Sequence, residues 1–68
     1  MDYLKQENEA LRRELIELLE LTIETNNFLH MVHDDLKKWG INDDIEYVGF
    51  LVETSNEKIL KLKSLING

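Results

Sequence analysis

Lys37-Lys38-Trp39-Gly40-Ile41-Asn42-Asp43-Asp44 is the one place where a long helical pattern breaks. Two lysines in a last helical turn answer the negative end of the helix dipole. Gly40 suits the left-handed C′ position that ends a helix, and Ile41 can supply the apolar contact that accompanies it. Asn42 or Asp43 can cap a following helix, and Glu46 is spaced from Asp43 as in a capping box. The connection amounts to ~3–4 residues, short enough to fold its flanking helices into an antiparallel hairpin.

Upstream of this break, residues 1–39 fall into heptads without a slip. The a positions are Met1, Asn8, Leu15, Thr22, Leu29 and Leu36, and the d positions are Leu4, Leu11, Leu18, Thr25, Val32 and Trp39. Nine of these twelve are apolar, a sustained period of about 3.5 residues that marks a coiled-coil seam. Asn8 at an a position reads either as a parallel two-stranded register, because a buried Asn pair fixes alignment at a cost in stability, or as a residue simply exposed near a frayed helix end. Downstream, Ile45, Val48, Val52, Ser55, Ile59, Leu62 and Ile66 form the seam of a second helix, widened by Phe50, Leu51, Leu60 and Leu65. Gly49 is an interior helix glycine, costing ~1 kcal/mol against alanine. It reads either as a close helix approach or as a tolerated defect. The boundaries expected are helix 1 over about 2–39, a turn at 40–42 and helix 2 over about 43–66, all in one domain, 1–68.

The two helices differ in length, and that difference carries an expectation about assembly. With Trp39 beside Asp43, facing residue numbers add to about 82, so the first ~14 residues of helix 1 lack a partner in the chain. Their stripe is narrow: Met1, Leu4 and Leu11. From Leu15 it widens to include Ile16, Leu18, Leu19, Leu21, Ile23, Phe28 and Met31. A helix packed on two neighbours needs a wider apolar face than one packed on a single neighbour. The fold expected is therefore all-α. It is an antiparallel hairpin with a long first helix, dimerising into a four-helix bundle with helix 1 against helix 1. The N-terminal arms extend from it as a parallel coiled coil. The dimer interface expected comprises Leu4, Asn8, Leu11, Leu15, Leu18, Thr22, Thr25, Leu29, Val32 and Leu36.

Composition narrows the function. The chain has 68 residues, 14 acidic and 8 basic side chains, no proline and no cysteine. A domain this small buries only ~60% of its unfolded surface and often leans on a partner. Without cysteine there is neither a disulfide nor a thiolate metal site. The net charge of −6 speaks against nucleic acid, which requires clustered Lys and Arg. The Lys5/Arg12/Arg13 arm is interleaved with Glu7, Glu9 and Glu14. No apolar run is long enough for a membrane span, and no basic region precedes an apolar block as in a secretory signal, so a cytoplasmic location is expected. Between Glu14 and Leu36 the chain carries six acidic residues and no basic one, while Lys58, Lys61 and Lys63 cluster in helix 2. The facing rule sets that lysine run against Glu17, Glu20 and Glu24.

Three constellations bear on chemistry. Thr22, Thr25, Asn26 and Asn27 lie opposite Ser55, Asn56 and Glu57 and read as a register-fixing polar layer, satisfied across a dimer. His30, His33 and Asp34 share a helical face at metal-ligand spacing, but at b, e and f positions directed to solvent, so a surface pair of histidines is the expectation. Asp34/Asp35 and Asp43/Asp44 are carboxylate pairs, which catalysis would place in a cleft that a thin helical bundle does not offer. No nucleophile elbow, phosphate loop or triad spacing occurs. Neither enzymatic activity nor a metal or cofactor is expected.

Phe28-Leu29-His30-Met31-Val32-His33-Asp34-Asp35-Leu36-Lys37 resembles the phosphoacceptor box of sensor histidine kinases, which reads roughly F-L-x-x-V-S-H-E-L-R. Glu46-Tyr47-Val48 and Thr54-Ser55-Asn56-Glu57-Lys58-Ile59-Leu60-Lys61-Leu62 look like the second helix of that family's dimerisation hairpin. The resemblance implies a dimeric four-helix bundle fed by a coiled coil. In the ungapped match the phosphoacceptor histidine falls on Asp34, with His33 one position early, and the family's proline falls on Trp39. The hairpin after the box is also much shorter than the family's. The resemblance therefore implies a bacterial or phage regulator that docks to a signalling protein, and assigns His33 no phosphoacceptor role. The reading as a whole is a non-catalytic homodimeric interaction module, a small regulator, adaptor or assembly protein. A histidine-phosphotransfer-like or kinase-hairpin-mimicking regulator is the alternative. The partners expected are a second copy and another protein, which His30, His33, Asp34 and Asp35 are placed to meet.

Overall fold

Because the chain lacks proline, no residue in its first half removes a helical donor or clashes with the preceding turn. A computed structural model, describing residues 2–68, accordingly shows one unbroken helix, α1, over Asp2–Trp39, and a second, α2, over Ile45–Asn67. Met1, the first a position of the heptad frame, lies outside the described residues. At a rise of ~1.5 Å per residue a helix like α1 spans ~57 Å, and the molecule measures 58 × 15 × 15 Å. The hairpin is thus one α1 long and two helices thick.

The turn forms as its glycine dictates. Gly40 has φ +70, the left-handed geometry that glycine adopts without steric cost. The Ile41 N–H donates to the Leu36 carbonyl at 3.0 Å and the Gly40 N–H donates to the Lys37 carbonyl at 3.3 Å. These are the paired reverse bonds of a Schellman motif. The second helix starts later than expected. Asp44, not Asn42 or Asp43, is its N-cap, and Val48 N–H donates to the Asp44 carbonyl at 3.0 Å. Asp44 has φ −107 and ψ 0 and makes no side-chain cap bond. A capping side chain reaches the first free N–H groups from the extended β region, which Asp44 does not occupy. The capping box with Glu46 does not form, although Glu46 still places negative charge in the first turn of α2, where the dipole favours it.

Two contacts set how the helices face. Asn26 bonds to Ser55 and Asn56, and the His33 ring lies over Gly49, 3.5 Å from where a Cβ on that glycine would sit. The pairs Asn26–Asn56 and His33–Gly49 share the same total, about 82, so the expected register holds over both heptads. Asn26 and His33 occupy e positions of α1. On α2, with Ile45, Val52, Ile59 and Ile66 labelled a and Val48, Ser55 and Leu62 labelled d, Gly49 and Asn56 are also e positions. The seam therefore runs along the a and e columns of α1 and the a and d columns of α2, with Gly49 and Asn56 at its edge.

Burial follows this geometry. Val48, Val52 and Leu62 are the buried apolar residues, and Asn26 is buried with 7% exposure. Leu15, Leu19, Ile23, Leu29, Val32 and Leu36 on α1, and Ile45, Leu51, Ile59 and Ile66 on α2, are half-buried. No large side chain among the described residues is fully enclosed. Such a core, spread along one seam, leaves a chain of this size near the threshold of independent stability.

Gly49 is a modest approach rather than a tight one. An added methyl group would meet the His33 Nε2 at 3.5 Å and Cδ2 at 3.8 Å, ordinary van der Waals separations. Gly49→Ala is therefore expected to stabilise the chain by up to about 1 kcal/mol through helix propensity. Urea denaturation at fixed protein concentration checks this. A loss of stability would mean that the His33 ring cannot share the space.

Candidate interaction surface

The polar layer forms, but inside one chain. Asn26 Nδ2 donates to Ser55 Oγ at 2.7 Å and Asn56 Oδ1 at 2.8 Å, with the Val52 carbonyl at 3.4 Å. Ser55 Oγ donates to the same Val52 carbonyl at 2.9 Å. Among the described residues, these Asn26 contacts are the side-chain hydrogen bonds joining the two helices. The expectation that the layer is satisfied across a dimer is corrected here. Thr22 and Thr25 also leave it, their hydroxyls donating to their own helix at Leu18 (2.7 Å) and Leu21 (2.8 Å). A threonine hydroxyl in a helix readily finds the carbonyl four residues back. Asn27 and Glu57 are exposed. No buried side-chain polar atom among the described residues lacks a partner.

The charge ladder within the hairpin does not materialise as expected. Lys58 and Lys61 fall on the g and c columns of α2, and Glu17 and Glu24 on the c column of α1, all turned away from the seam, and Lys63, on the e column of α2, is exposed at its edge. The lysines and glutamates are exposed, and none of the interhelical hydrogen bonds joins a lysine to a carboxylate. Heptad spacing alone left open which flank of each helix meets the other, and the turn resolved it.

The ten residues expected at a dimer interface divide into two groups. Leu15, Thr22, Leu29 and Leu36, at a, are half-buried beside α2, and Val32, at d, is also half-buried. Leu4, Leu11 and Leu18 retain 61%, 59% and 46% exposure, and Asn8 and Thr25 are exposed as well. Two residues outside that set belong with the open group. Leu21 and Phe28, at g, retain 60% and 58% exposure. The d and g columns between Leu18 and Val32 thus form a continuous strip without a charged side chain, on the flank of α1 opposite Asn26 and His33. The signal for Leu21 and Phe28 was present in the widened apolar stripe, but only the direction of α2 separates g from e.

On α2, the corresponding free flank holds Leu51, Lys58 and Leu65 at g and Tyr47 and Lys61 at c. Leu65 and Tyr47 are exposed, and Leu51 is half-buried. Beyond the end of α2, the arm of α1 continues alone, and an open notch at the junction is lined by Asn8, Leu11 and Leu15 with Leu65 and Ile66.

The residues singled out as a partner surface are dispersed. His30 and Asp34 are exposed, and Asp35 is half-buried on the g column. His33 is half-buried with its ring over Gly49, so it belongs to the hairpin seam rather than to a solvent-facing histidine pair. Among the described residues there is no cluster of three His, Asp or Glu side chains placed to hold a metal ion. No described helix is long and apolar enough to cross a membrane. Comparison with protein-family models, curated proteins and solved structures finds no match.

Proposed function

We propose that the chain is a non-catalytic homodimeric helical-bundle module, a small cytoplasmic regulator, adaptor or assembly protein that works through protein–protein contacts. The observation that carries the reading is the uncharged strip of Leu18, Leu21, Thr25, Phe28 and Val32, lying beside a hairpin whose buried apolar core is Val48, Val52 and Leu62. In a four-helix bundle the a and d columns face the common axis while e and g face the two neighbouring helices. One hairpin fills the e side of α1 and leaves g and d open. A second copy supplies the missing helices, and a two-fold pair is the smallest closed solution. So small a buried core gives little margin against the conformational entropy of ordering the chain, and association adds the stability that a lone hairpin lacks.

Sedimentation equilibrium across the micromolar range tests this. Twice the 8.0 kDa chain mass is expected, with a melting temperature that rises with concentration. A mass of 8.0 kDa throughout would overturn the reading. The phosphotransfer-like alternative rests on the resemblance of residues 28–37. Incubation with phosphodonor response regulators, comparing the chain with its His33→Ala and Asp34→Ala variants, is its test.

A further inference from the structure

We infer that the dimer pairs α1 of each copy with α2 of the other, with both N-terminal arms leaving the same end as a parallel pair. The inference rests on the homodimer proposed above and adds its polarity and its recognition charges. Two separate charge patterns lead to it.

The first lies along the bundle. Beside α2, the free flank of α1 carries Glu17, Glu24 and Asp35 on its g and c columns, against one base, Lys38. The free flank of α2 carries Lys58 and Lys61 and no acid. A dimer with its two-fold axis across the bundle sets α1 against α1 and α2 against α2, stacking flanks of the same sign. A dimer with its axis along the bundle sets each acidic flank against a basic one, and complementary flanks select partner and register. An axis along the bundle also keeps residues at the same height. The register of about 82 that relates α1 to its own α2 then relates it to the partner's α2. Lys58 of one copy comes level with Glu24 of the other, and Lys61 lies three to four residues from the heights of both Glu24 and Glu17. Phe28 comes within a turn of the other copy's Leu51, and Leu21 about one turn from its Leu65.

The second pattern lies in the arm, where α1 has no α2 beside it. There the e column is Lys5 and Arg12 and the g column is Glu7 and Glu14. Parallel helices bring g of one chain to e of the other one heptad on, which pairs Glu7 with Arg12 of the second copy. Antiparallel helices bring e to e and g to g, which stacks like charges. The arms and the bundle, on different residues, favour the same polarity.

The chain has no cysteine, so one introduced thiol reports position directly. Ala10 is exposed on α1 in the arm. Ala10→Cys carrying a nitroxide label, measured by double electron–electron resonance, is expected to give a distance under about 30 Å, as for labels on two adjacent parallel helices. In the crosswise dimer the two labels sit at opposite ends, about 50 Å apart at the helical rise per residue. Gln6→Cys, also exposed, repeats the measurement with a larger contrast. A chain of dimeric mass with the long distance overturns the polarity and leaves the homodimer standing. A monomeric mass removes both. Charge reversal reads the same contact: Lys58→Glu with Lys61→Glu is expected to weaken the dimer by at least about tenfold. Adding Glu17→Lys and Glu24→Lys should restore it. Failure of that rescue, in a chain that retains its helicity, also overturns the pairing.

Discussion

An Asn26→Asp chain is expected to lose about 3 kcal/mol of folding stability at neutral pH, enough to unfold much of a domain this small. The substitution changes almost no volume. It replaces an amide that donates to Ser55, Asn56 and the Val52 carbonyl with a carboxylate that only accepts, at a site with 7% exposure. The acceptors that met the amide then face a buried negative charge, which costs more than an ordinary lost hydrogen bond. The pH dependence has a definite sign. Such a site favours the neutral acid, so the introduced carboxyl titrates in the folded chain above its unfolded value of about 3.9. Measured against the unsubstituted chain at the same pH, the deficit is smallest below the unfolded value and grows as pH rises through the folded one. Urea titrations of both chains at about pH 3 and about pH 7, on either side of that window, check this. A deficit independent of pH would mean that the introduced carboxyl reaches solvent and that Asn26 does not hold the seam. Asn26→Leu is expected to cost less, because it introduces no buried charge, but to loosen alignment.

Phe28→Glu is expected to raise the dimer dissociation constant by at least about a hundredfold. Burying an aromatic or aliphatic side chain contributes about 1.5–3 kcal/mol, and two-fold symmetry counts each substitution twice. Phe28 is 58% exposed in the single hairpin and lies on the flank away from α2, so the fold of one copy loses little directly. Apparent stability should nevertheless fall at low concentration, because the association that supports it has weakened. Thr25→Leu is the converse. Its hydroxyl bonds only to its own helix at Leu21, and the added apolar surface should tighten the dimer by about tenfold. Sedimentation of the three chains under one set of conditions checks both directions. Equal masses and equal association for all three would show that this flank stays in water.

Much of the hairpin was legible because its signals are local. Gly40 after two lysines, the unbroken heptads of α1 and the seam from Ile45 to Ile66 each fix a piece of backbone without reference to the rest. The register was legible too, since a short turn leaves little freedom in which residues face each other. What heptads do not encode is the flank. An a/d stripe is flanked equally by e and g, and only the handedness of the turn decides that Asn26 and His33 face α2 while Leu21 and Phe28 do not. That one choice moved His33 into the seam and took the lysine run away from the glutamate ladder of its own chain. Other differences come from competition at short range. Thr22 and Thr25 found carbonyls one turn back before they could join the polar layer, and the backbone of Asp44 denied its side chain a capping role.

The homodimer proposed above places a second copy over the strip from Leu18 to Val32. Isotope-filtered nuclear Overhauser spectra of an equal mixture of carbon-13-labelled and unlabelled chain test it most directly. Intermolecular cross-peaks are predicted to Leu18, Leu21, Phe28 and Val32. Cross-peaks confined to Phe50 and Leu60, on the outer face of α2, or none at concentrations where the mass is dimeric, would contradict it.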